Sequence, residues 1–212
     1  MSSSTSKALD PSSVELWDHS HHHHDVISTR TFGFWLYMLS DAMIFAVLFA
    51  AWEVLSYSHN FAGGPTPANF VEPGYVFLQT LALFTSVLAY GFTMVALKNG
   101  NKAGVISGLW GALILGGAFL ALDINDVVHL VGMGITPERS GGLSAFFILT
   151  QTHALHILFG LLWMLVMLVQ VSRFGFTADV VGRLLSLRLF WHFQAVVWVF
   201  VFVFVYLRGM LI

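Results

Sequence analysis

Between Gly33 and Tyr57 the chain reads GFWLYMLSDAMIFAVLFAAWEVLSY, apolar for nearly its whole length but carrying an aspartate, Asp41, near the middle. About 20 apolar residues, each rising ~1.5 Å, cross the ~30 Å hydrocarbon layer of a bilayer, so this stretch predicts a transmembrane helix. An ionised carboxylate at that depth costs at least ~2.5–3.5 kcal/mol. Asp41 is therefore expected to be neutral, hydrogen-bonded, or turned towards other protein. It then serves either as hydrogen-bonding glue between helices or as a proton-handling or partner-contact site.

Four more apolar stretches follow, and composition supports reading them the same way. Only 9% of the 212 residues are charged and 57% are apolar, against roughly 25% and 45–50% in soluble domains. The predicted spans are 32–57, 73–97, 103–130, 142–171 and 183–207. The fold class is thus all-α, a five-helix transmembrane bundle over 31–212 preceded by a polar tail, 1–30, containing His19 and His21–His24. Such a histidine cluster suits divalent metals, though a solvated tail of this composition binds metal adventitiously. The tail has no basic start or short apolar core of a secretory signal, so the first helix is expected to be an uncleaved anchor. A net charge of −2 and the absence of cysteine exclude a basic nucleic-acid surface, a disulfide framework and thiolate metal sites.

The third span carries Gly104, Gly108, Ala112 and Gly116 at a stride of four, a smooth ridge that lets another helix approach closely. The loop 58–72 is punctuated by Gly63, Gly64, Pro65 and Pro67, and a basic loop is expected over 173–183. Lys7, Arg30, Lys98, Lys102, Arg173 and Arg183 fall on one side of this topology, with only Arg139 and Arg208 opposite. The positive-inside rule then predicts a cytoplasmic N-terminus and an external C-terminus. Glu53, Glu72, Asp123, Asp126 and Glu138 gather towards the outer face, where solvation or interfacial pairing is expected.

Four ionisable residues fall within the hydrocarbon layer: Asp41, His153, His156 and His192. His153 and His156 share a helix face by their i, i+3 spacing. Histidine is the commonest metal ligand, but neither a haem pair nor a carboxylate di-metal set is complete in this pattern. Packing between helices, partner contact and proton handling remain as roles for all four. A transporter would show internal repeats or broken helices, and neither stands out; a proton-conducting protein using Asp41 stays open.

Four stretches taken together resemble a known family: GFWLYMLSDAMIFAVLFAAW (33–52), AGGPT (62–66), ERSGGLSAFFILTQTHALHILFG (138–160), and FWHF with VVW (190–193 and 196–198). They are similar to subunit III of the haem–copper terminal oxidases, in particular the five-helix subunit III of the cytochrome bo-type ubiquinol oxidases. The resemblance implies a non-catalytic integral subunit without redox centres, in a bacterial inner membrane. Its partners would be membrane lipids and oxidase subunits I, II and IV, with haem and copper in the large one. A cytochrome c oxidase subunit III is the alternative within the family. Asp41 matches the family's intramembrane acid, and His153 with His156 its paired histidines. Ala195 and Gln79 stand where relatives commonly carry acids, which removes any pairing or proton role of those acids from this chain.

Overall fold

The computed structural model describes the backbone of residues 26–211 and the side chains of 32–211; the histidine-rich tail lies outside the described residues. Five long helices form the bundle: α1 (Val26–Leu55), α3 (Pro73–Lys98), α4 (Lys102–Gly132), α5 (Gly141–Phe174) and α6 (Ala178–Phe200). A π-helical turn, Val201–Leu207, continues α6. All five are long and apolar enough to cross a membrane, and no strand occurs among the described residues.

The helix ends explain where local reading and structure part. Thr66 and Asn69 form a capping box and Pro67 fills the first turn, so the predicted loop 58–72 contains a short helix, α2 (Pro67–Phe70), after a 3-10 turn at Ser58–Phe61. Pro has no N–H to lose at that position, and the Asn69 side chain accepts from the Thr66 N–H at 2.9 Å. The predicted start of the fifth span at 183 is five residues late. The Thr177 hydroxyl caps Val180 N–H at 3.3 Å, α6 begins at Ala178, and the expected basic loop 173–183 shrinks to Gly175–Thr177. Arg183 sits on the helix and donates to Gln170 Oε1 at 3.0 Å.

The glycine ridge on α4 does what its spacing predicts. A Cβ on Gly104 would lie 2.8 Å from Ala96 Cβ, and one on Gly116 would lie 2.7 Å from Trp191 Cζ2. Ala112 O accepts from the Ser86 hydroxyl at 2.7 Å. The α3–α4 backbones thus come close enough to exchange side-chain-to-backbone hydrogen bonds across the seam. Two tryptophans then pin α6 antiparallel to α3: Trp191 Nε1 donates to Ser86 Oγ at 3.1 Å, and Trp198 Nε1 to Thr80 Oγ1 at 2.9 Å. Tyr90 OH donates to Leu184 O at 2.9 Å in the same seam. On the other flank, Trp52 Nε1 of α1 donates to Phe204 O at 2.9 Å. α5 packs against α1, α4 and α6, which puts its histidines inside the bundle.

Candidate functional site

His153 and His156 sit on consecutive turns of α5, and each reaches a different neighbour. His156 Nε2 lies 2.9 Å from Asp41 Oδ1 on α1, and its Nδ1 lies 2.7 Å from Thr152 O, the carbonyl four residues back. A ring nitrogen facing a carbonyl must carry the hydrogen and donate. The Nε2–Oδ1 contact therefore needs one further hydrogen, because otherwise two lone pairs would face each other at 2.9 Å. Whether that hydrogen resides on carboxyl or ring, the pair is net neutral. This is how α1 carries a carboxyl at mid-membrane without leaving a lone charge there. Asp41 is buried, at 3% exposure; its Oδ2 has no protein partner among the described residues.

His153 turns away from that pair. Its Nε2 lies 3.1 Å from Gln194 O on α6 and so donates to it. The ring is caged by Trp198, Phe119 and Phe45, at centroid distances of 5.3, 5.8 and 6.4 Å. His192 is the exception among the four. It is exposed on α6, with Nδ1 2.8 Å from Arg188 O. The structure thus joins Asp41 to His156, gives His153 to α6, and leaves His192 on the outside of the bundle.

One expectation needs correcting. Asp123 is expected among the outer-face acids, solvated or interfacially paired, but it is 3% exposed, and its Oδ2 has no hydrogen-bond partner among the described residues. The reason is register: Ala112, Gly116, Phe119 and Asp123 form one buried stripe of α4, so the ridge of small residues runs straight into the carboxylate. Following that ridge at helical stride would have found it. Glu53, by contrast, does pair at the interface, with both oxygens on the Arg208 guanidinium. Two amides are also fully buried. Gln79 and Gln194 have no side-chain partner among the described residues.

A groove of about 580 Å³ opens between α1 and α6, from Ala42 and Phe45 near Asp41 out to Glu53 and Arg208. No three His, Asp or Glu side chains converge among the described residues. Both ring nitrogens of His156 and one each of His153 and His192 are engaged by protein atoms. His156 thus has no ring nitrogen left to ligate a metal, whereas His153 and His192 each keep one.

Fold and site together define a multi-pass helical membrane protein whose intramembrane acid is matched by a histidine of its own chain. Comparison with known proteins places it more closely. The model of the family described as cytochrome c oxidase subunit III matches residues 13–210. The chain is 44% identical over 188 residues to the cytochrome bo(3) ubiquinol oxidase subunit 3 of Pseudomonas putida, covering 89% of this chain and 90% of that one. It is 43% identical over 194 residues to the protein of the same name from Pseudomonas aeruginosa, covering 91% and 92%. With that of Buchnera aphidicola subsp. Baizongia pistaciae it shares 39% over 186 residues, covering 88% and 95%. The chain belongs to the cytochrome c oxidase subunit III family.

Proposed function

We propose that the chain is the accessory subunit III of a haem–copper quinol oxidase, a complex of the bacterial cytoplasmic membrane that couples reduction of oxygen to water with proton translocation. The observation that carries this reading is similarity along nearly the full length to proteins named cytochrome bo(3) ubiquinol oxidase subunit 3. In this reading the haems and copper belong to the large partner subunit, subunits I, II and IV are the protein partners, and lipids cover the remaining apolar faces. The chain itself contributes structure. Asp41 and His156 join α1 to α5, and His153 joins α5 to α6; packing and partner contact are their roles, ahead of proton handling. The N-terminus is cytoplasmic and the C-terminus external, from the excess of basic residues at one set of helix ends.

Purifying the complex through this chain tests the reading. Oxygen uptake should be driven by ubiquinol, with haem and the larger subunits co-purifying. Uptake driven instead by reduced cytochrome c would replace the quinol oxidase by the cytochrome c oxidase of the same family, and a chain that brings down no haem protein would overturn the reading.

A further inference from the structure

His192 lies about 21 Å along α6 from Ala178, at ~1.5 Å per residue, which puts it near the middle of the hydrocarbon layer. Yet it is exposed. Ionisable groups at that depth almost always face protein or water rather than lipid, because an unsatisfied polar atom in hydrocarbon costs several kcal/mol. Its Nδ1 donates to Arg188 O at 2.8 Å; its Nε2 has no hydrogen-bond partner among the described residues.

The same chain shows what completes such a histidine. His156 is held in the same local way, Nδ1 to the carbonyl four residues back at 2.7 Å, and its Nε2 meets a carboxyl from a neighbouring helix at 2.9 Å. A carboxyl suits that nitrogen in either state, as an acid donating to the neutral ring or as a carboxylate accepting from the charged one. Arg188, also exposed and one turn along the same face, adds a positive charge that favours an acidic partner. Beyond His192 the face continues with Val196, Val199 and Val203, all exposed, a smooth β-branched strip against which a helix can lie.

We propose that this face of α6 is the docking surface for a transmembrane helix of a partner oxidase subunit that presents an aspartate or glutamate to His192 Nε2. The proposal rests on the chain's being an oxidase subunit and adds which face is used and what chemistry meets it.

The test is a photo-crosslinking residue at Val196, one turn from His192, in the full complex in native membranes. It is expected to give an adduct with one partner subunit, mapping to a transmembrane segment that holds an acid. In parallel, His192→Leu should weaken retention of the chain in the complex about 3- to 20-fold, the range of intramembrane polar contacts, while His192→Gln should retain part of it. Because the residue is exposed, neither change disturbs the chain's own core. Adducts with lipid alone, or a partner segment without an acid, would overturn the proposal, as would unchanged retention of His192→Leu. In those cases the wild-type chain still co-purifies with haem protein and the oxidase reading survives. Failure of the wild-type chain to co-purify with haem protein would instead overturn both.

Discussion

Replacing Asp41 by leucine should loosen the bundle, whereas replacing it by asparagine should not. Asp41 is 3% exposed and makes one interhelical hydrogen bond, to His156 Nε2 at 2.9 Å. Because the pair is net neutral with one hydrogen between the two atoms, an asparagine amide can donate to the neutral ring and reproduce the acid form. Asp41→Asn is therefore expected to lie within ~0.5 kcal/mol of wild type, below the ~0.6 kcal/mol mean for intramembrane polar contacts. Leucine leaves His156 Nε2 unpaired, a loss of ~1–3 kcal/mol for a buried group, here towards the lower end because the ring is partly exposed. A double-mutant cycle with His156→Leu should give a coupling of ~0.6–1.7 kcal/mol. The assay is denaturant titration of the complex in mixed micelles, followed by release of the chain, alongside turnover and protons translocated per electron. Two results would rule out a purely structural pair. A coupling near zero would mean that the pair holds nothing together. An Asp41→Asn complex that assembles normally but loses turnover or pumping would show that the exchangeable proton matters, since an amide has none to give at neutral pH.

Three further outcomes are expected. Gly116→Ala should lower thermal stability by ~1–3 kcal/mol, because its methyl would meet Trp191 Cζ2 at 2.7 Å and Leu161 Cδ2 at 2.9 Å in a packed seam; an unchanged melting profile would contradict the ridge. Gln79→Leu and Gln194→Leu should be neutral or stabilising, as each removes a buried amide without a protein partner. The His153 bond should persist in the second variant, because it uses the Gln194 backbone. Reporter fusions at the two termini should give signals on opposite sides of the membrane, as the five spans among the described residues require.

Much of this could be read from the chain because a bilayer imposes a simple grammar. Twenty apolar residues in a row need no tertiary information to be recognised, and five helices long and apolar enough to cross a membrane occur among the described residues. The α4 ridge was equally legible, since glycine and alanine at a stride of four leave no other function for that face. The helix ends were not. Thr177 and Pro67 begin helices through a side-chain cap and a fixed φ, cues only a few residues long that fall in stretches dominated by loop-forming residues. Within the site, depth along a span could be counted, but the direction of a side chain around its helix depends on which neighbours pack there. Asp41, His156 and His192 looked equivalent by depth, and only helix packing separates the matched pair from the exposed ring. Asp123 shows the opposite failure: its position near a helix end suggested an interface, while its register on the buried stripe put it inside.

In the proposed function this chain supports an oxidase from within the membrane without holding a redox centre. The decisive quantity is the haem and copper content per large subunit in the complex, measured before and after this chain is stripped away. Equal haem and copper are expected in both preparations, and the released chain, freed of its histidine-rich tail, should carry neither haem nor stoichiometric metal. Loss of one haem or one copper with the chain, recovered on it in fixed proportion, would instead put a redox centre on this chain.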